Sequence, residues 1–230
     1  MDQFVARDDV LNRGWLDHTP LSFRRAVLDR CLREQFKSGA RVYSIGDEPG
    51  GMFGIVSGGL GVSIAPGERG PYIAHFAMPG TWFGEAAAIT RQPRRVGLTA
   101  TRDSELSHLP LYAIDEIVGR DPSAWRFFAL VTIAHLDLAI GGSDDLMIRN
   151  HLKRFVAVLL RIGNCRRVSP QDGHAIEVDM NHEDLAYMAN VARTTAGTIL
   201  RKLESDGHVA LSYRRIRILA PDALRAMVHD

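Results

Sequence analysis

The sequence predicts an α+β fold in three successive parts: an antiparallel roll of short strands, one long helix, and two short helices followed by a basic hairpin. Three observations predict it. Residues 39–110 alternate short apolar runs with turns rich in glycine and proline, which is the pattern of an antiparallel sandwich or barrel. From Phe127 to Phe155 a mostly apolar set of residues recurs at alternating steps of four and three, as in a helix that wraps around another. Residues 181–204 set two helical apolar stripes on either side of Asn190.

Taken in order, residues 1–38 read as helical and polar. LSFRRAVLDRCLREQF places Leu21, Val27, Leu28, Cys31 and Leu32 at near-helical spacing, with Pro20 suited to a first turn. The strand runs follow: RVYSIG, FGIVSG, LGVSIA, YIAHFA, VGLTAT and LSHLP. Gly46-Asp47-Glu48-Pro49, Gly58-Gly59, Pro66-Gly67 and Pro79-Gly80 separate them. A barrel this small encloses room for one small ligand. Inside it GEAAAI, residues 84–89, reads as a short helical turn. Its free backbone N–H groups favour an anion, and Arg94 and Arg95 follow within reach of the same end. Two readings stand: a phosphate cradle, or a surface turn with two solvated arginines.

Residues 111–120 form a short helix ended by Asp121-Pro122. The long helix is expected from about 123 to 163. Its seam would be Phe127, Val131, Ala134, Leu138, Gly141, Asp145, Ile148, Leu152 and Phe155, and its length suits a dimer axis. Gly141-Gly142-Ser143 interrupts it, and each glycine costs about 1 kcal/mol relative to alanine. Close approach of a helix or ligand, a bend, or a tolerated weak point all remain open there. The division expected is 1–122 for an effector-binding roll and 123–150 for a dimerisation helix continuing to about 163. Residues 151–230 would then form a nucleic-acid-binding domain.

After a polar stretch at 165–174, AIEVDM reads as a strand. The first short helix then covers roughly 183–189, with Leu185, Ala186 and Met188 inward. The second covers roughly 193–205, with Ala196, Ile199, Leu200 and Leu203 inward. Asn190 tolerates the left-handed conformation of a sharp turn. Arg193, Thr194, Thr195, Gly197, Thr198 and Arg201 point outward. A short helix with hydrogen-bonding groups at its N-terminal end fits a DNA major groove. Asp206-Gly207-His208 ends it, and VALSYRRIRILA carries Arg214, Arg215 and Arg217 into a hairpin that would lie against phosphates. This is the layout of a winged helix-turn-helix. Charge agrees: residues 151–230 hold 12 basic against 9 acidic side chains, and residues 1–150 hold 16 against 18.

Other classes find little support. Cys31 and Cys165 are far apart and read as packing residues, so no metal or iron–sulfur cluster is expected. Haem would need an axial ligand, and His75 and His108 are more simply structural. Two histidines in separate strands do not make an oxygenase site, and no catalytic set is evident, so no enzyme is expected. No membrane span or signal peptide is visible, and a cytoplasmic location is expected.

FGIVSGGLGV, then GTWFGEAAAI followed by PRR, then LAYMANVARTTAGTILRKLESDGHV occur in this order. With them the chain resembles the cyclic-AMP receptor protein / fumarate-nitrate regulator (CRP/FNR) family of bacterial transcription regulators, over about residues 39–219. The resemblance implies a cyclic-nucleotide-binding-like jelly roll, a homodimer and a palindromic double-stranded DNA site. It also implies RNA polymerase as a partner and cyclic AMP or cyclic GMP as effector. Gly84, Glu85 and Arg94 match the effector motif, Glu85 for a ribose hydroxyl and Arg94 for the cyclic phosphate, and Ala86 and Ser143 are expected to line the same site. Arg94→Ala is expected to abolish effector response and leave the fold intact. Arg95 stands where the family has Ser or Thr, and would either serve a larger or more anionic ligand or fill the pocket. For the polar pair on the long helix, a gapless register gives Ala139 and Ile140, and a shift of three gives Gly142 and Ser143. In the reading helix Arg193 matches, while Thr194 replaces Glu and Thr198 replaces Arg. Thr195 is expected on a phosphate.

Overall fold

A computed structural model describes residues 10–12, 14–65, 72–168 and 176–229. The expectations for residues 1–9, for the Pro66-Gly67 turn and for 169–174 lie outside the described residues. Two compact units emerge, residues 1–137 and 138–230.

In the first unit the alternating runs fold as expected into two four-stranded antiparallel sheets. The strands are β1 (Leu32–Phe36), β2 (Arg41–Tyr43), β3 (Gly51–Ser57), β4 (Leu60–Ile64), β5 (Tyr72–Ala77), β6 (Trp82–Phe83), β7 (Gly97–Ala100) and β8 (Ser104–Pro110). Their orders are β1-β8-β3-β6 and β2-β7-β4-β5. Tyr43, Phe53, Ile55, Leu60, Phe83, Leu98 and Leu106 bury their side chains in one core. A second core gathers the helices: α1 (Leu21–Leu28), α3 (Leu111–Arg120) and the start of α4 (Trp125–Met147). There Trp15 meets Trp82 edge to face at 5.9 Å. The Trp82 ring lies over Gly54, where a Cβ would stand 2.8 Å from Cζ2. Between β6 and β7 lies α2 (Glu85–Thr90).

Four expectations need correction. Helix does not run through residue 38: it stops at Leu28, and LREQF becomes β1, paired along β8 from Leu32↔His108 to Phe36↔Ser104. Sheet pairing here overrides the helical preference of Leu, Arg, Glu and Gln.

Nor does the long helix continue to 163. It ends at Met147, and α5 (His151–Ile162) starts anew. Asn150 caps α5, accepting from Leu152 N at 3.0 Å and Lys153 N at 3.2 Å. Arg154 Nη1 donates to the Ile148 carbonyl at 2.7 Å, stabilising the break. The glycines at 141 and 142 lie within unbroken helix.

Part of the expected seam faces inward. Val131 belongs to the first unit's core, and Gly141, Asp145 and Phe155 are buried within the second unit. The exposed apolar stripe is Ile133, Leu136, Ile140 and Met147, at steps of three, four and seven. Residues 122–147 are long and apolar enough to cross a membrane, by length and composition alone, where the sequence is expected to hold no such stretch.

In the second unit, Arg161 Nε and Asp145 Oδ2 lie 2.5 Å apart, and Arg166 Nε reaches Oδ1 at 3.0 Å. Asp145 is fully buried. Gly141 leaves the room for this: a Cβ there would stand 2.8 Å from Arg161 Cζ. Close approach is thus the reason for the first glycine, while nothing lies within 4 Å of a Cβ at Gly142. The remaining elements are β9 (Ile176–Val178), α6 (His182–Met188), α7 (Arg193–Ser205), β10 (Val209–Ser212), β11 (Arg215–Ile218) and α8 (Pro221–His229). The sheet order is β10-β11-β9, antiparallel throughout.

Candidate functional site

The first group of residues surrounds the start of α2. Gly84 caps it with φ +102°, a conformation that suits glycine. A Cβ there would stand 2.5 Å from Arg94 Nη1. Arg94 is buried, and its Nη2 donates to the Gly51 carbonyl at 2.9 Å and its Nη1 to the Gly84 carbonyl at 3.4 Å. Its guanidinium lies over the Tyr43 ring at 4.2 Å and nears Phe53 at 5.9 Å. Burial lowers the Arg94 pKa, partly offset by Tyr43, Asp47 and Glu85. Burial likewise pushes the Tyr43 phenol well above its usual range. Arg94 Nε is buried and has no hydrogen-bond partner among the described residues.

Glu85 is 5% exposed. Its Oε1 lies 2.9 Å from Nδ1 of His135 on α4, and the His135 ring stacks on Phe83 at 4.8 Å. The structure therefore brings Gly84, Glu85, Ala86 and Arg94 together and adds His135, which sequence reasoning misses. The signal available is a basic ring within the apolar run LVTIAHLDL. Arg95 is exposed and does not fill the roll. Ser143 is exposed and belongs to the second unit. Both His108 ring nitrogens are engaged, Nδ1 with Glu34 at 2.7 Å and Nε2 with the Gly50 carbonyl at 2.8 Å.

The second group is built on α6 and α7. Asn181 caps α6 by accepting from Asp184 N at 2.7 Å. Asn190 has φ 50° and makes the turn between the helices. Leu185, Ala186, Ala196, Ile199, Leu200 and Leu203 are buried, which fixes the opposite face outward. Arg193, Thr194, Thr198 and Arg201 are exposed, and Thr195 and Gly197 half-buried. Arg193 Nη1 lies 3.7 Å from Glu183 Oε2, both well exposed, a pair that water weakens. In the hairpin, Tyr213 and Arg214 form the tip, with Arg214 at φ 55°. Arg215 is drawn back to Asp179 at 3.1 Å and Glu177 at 3.2 Å, so its guanidinium is only partly available.

Residues 33–121 match the family model of the cyclic nucleotide-binding domain, and residues 153–227 that of the Crp-like helix-turn-helix domain. A transcriptional regulator of the CRP/FNR family from Thermus thermophilus is 21% identical, with 86% of this chain and 99% of that one covered and a TM-score of 0.65. A protein of Ruegeria pomeroyi assigned to cyclic nucleotide binding is 18% identical, covers 98% of both chains and gives a TM-score of 0.69. The c-di-GMP responsive global regulator CLP of Xanthomonas campestris is 16% identical, covers 86% of this chain and 99% of its own, and gives 0.63. At these identities the three solved structures speak to the fold. No curated protein matches the chain.

Proposed function

The chain belongs to the CRP/FNR family of transcription regulators, and on that premise we propose that it is a cytoplasmic homodimer whose two α7 helices read a palindromic duplex under control of a small effector. The observation that carries this reading is α7 itself. Its apolar face is buried, while its first turn presents Arg193, held only by a weak surface pair. A fork of that kind can take guanine O6 and N7. The exposed stripe of Ile133, Leu136, Ile140 and Met147 supplies the α4 surface that a second copy would cover. RNA polymerase would be the partner through which the bound dimer acts.

For the effector, we favour a cyclic nucleotide, cyclic AMP or cyclic GMP, at Glu85 and Arg94. The unpartnered buried Nε of Arg94 supports an anion there. Such a ligand must take Glu85 from His135, which would couple binding to α4. Arg95, exposed beside this group, suits a more anionic ligand, and the Xanthomonas regulator's response to c-di-GMP makes a cyclic dinucleotide the next candidate. A second reading has its own observation: Glu85 and Arg94 are already engaged from within, as in a roll that needs no ligand.

The test measures fluorescence anisotropy of a duplex pool with two inverted randomised half-sites, alone and with cyclic AMP, cyclic GMP or c-di-GMP, together with sedimentation of the free protein. We expect a dimer, ligand-dependent enrichment of a palindrome, and loss of one base preference in Arg193→Ala, worth about 1–3 kcal/mol. A monomer, or a preference unchanged in Arg193→Ala, refutes the reading. Full DNA affinity with no response to any of the three ligands favours the ligand-free roll.

A further inference from the structure

The exposed face of α7 has a gap in its middle. Gly197 has no side chain, and Thr198 spends its hydroxyl proton within the helix, donating to the Thr194 carbonyl at 3.1 Å. Neither can reach and fork onto a base. Arg201, one turn later, covers the gap. Helical side chains lean toward the N-terminus, and Arg201 Nη2 donates to Thr198 Oγ1 at 3.4 Å. The same guanidinium passes Gly197, where a Cβ would be 3.6 Å from Nη1. Thr198 thus acts as a rest that holds the arginine over the middle of the helix.

Arg201 also differs in charge environment from its neighbours. Arg193 is paired with Glu183, and Arg215 with Glu177 and Asp179. No carboxylate pairs with Arg201 among the described residues. A planar cation with free donors, held back along a groove-facing helix, matches the paired acceptors O6 and N7 of guanine.

We propose that Arg201, positioned by Thr198 and given passage by Gly197, is the second base-reading group of α7 and specifies a guanine distinct from the one read by Arg193. This rests on the reading of α7 as the helix that enters the major groove.

The experiment is selection from a duplex pool randomised over two half-sites, using full-length wild type, Arg201→Ala, Arg201→Lys and Arg193→Ala. The pool is probed without ligand and with cyclic AMP, cyclic GMP or c-di-GMP. Arg201 is exposed, and circular dichroism verifies that the variants fold. The expected result is two guanine positions per half-site for wild type. Arg201→Ala loses one of them by about tenfold or more in discrimination, and Arg193→Ala loses the other. Arg201→Lys keeps the charge but not the fork, so it keeps the salt dependence and still loses that guanine. A uniform drop across all sequences in Arg201→Ala, or an unchanged consensus, overturns the proposal and leaves the groove reading standing through Arg193. If wild type enriches no sequence, the groove reading falls, and the role of Arg201 falls with it.

Discussion

Gly141 and Gly142 are neighbours in α4, and alanine should act on them in opposite directions. In a helix interior Gly→Ala stabilises by about 1 kcal/mol. At Gly142 the new methyl meets nothing within 4 Å, so that gain is kept. At Gly141 it would stand 2.8 Å from Arg161 Cζ and 3.0 Å from Nη2. The far end of an arginine ordinarily swings aside at little cost. Here it is pinned, because Arg161 Nε is 2.5 Å from Asp145 Oδ2 and Asp145 is wholly buried. Displacing the guanidinium removes one of the two cations on that carboxylate, and breaking such a buried pair costs about 3 kcal/mol. The net expectation for Gly141→Ala is a loss of about 2 kcal/mol. Urea unfolding of the full chain, followed by far-UV circular dichroism, reads both variants. In an Asp145→Asn background the Gly141→Ala penalty should shrink, since the two changes share one contact. A Gly141→Ala midpoint raised as far as that of Gly142→Ala would refute the reasoning.

Two further outcomes follow from buried groups. Arg94→Ala should cost the first unit about 2 kcal/mol as well as any effector response, because two backbone carbonyls lose a charged donor. The variant is expected to keep its fold at lower stability, and a wild-type tryptophan unfolding curve would contradict this. Burial pushes the Cys165 thiol from an ordinary 9.0 up to about 11, with Arg225 opposing. The folded state thus favours the neutral thiol. Its contribution to stability is complete below pH 9 and fades as pH rises through about 11. Iodoacetamide near neutral pH should label half-buried Cys31 well before Cys165, and mass spectrometry showing equal labelling of the native chain would count against this.

The strands were legible because each apolar run is bounded by a turn residue with a specific conformational use, as at Gly46, Gly58 and Gly80, all at positive φ. The helix-turn-helix was legible because its buried positions recur at three and four and Asn190 marks the turn. What was lost depends on long-range partners. LREQF has no strand signal of its own and is made one by β8. The break before α5 is hidden because the spacing of three and four persists across it. Asn150 ahead of an apolar run was its one local mark. That same continuity drew Val131, Gly141, Asp145 and Phe155 into the seam, since residues buried within each unit keep the step of residues that face outward. Glu85 was legible as a candidate, but its engagement by His135 depends on α4 returning to α2 from far along the chain.

The carboxylates around the hairpin have a consequence for binding. Affinity for a duplex depends on salt through the counterions released, with a slope of about −0.9 per phosphate neutralised. Arg215 brings Glu177 and Asp179 with it. That cation is partly neutralised before any phosphate arrives. The ionic-strength dependence of this chain should therefore be shallower than a tally of its arginines implies, leaving base contacts a larger share of the affinity.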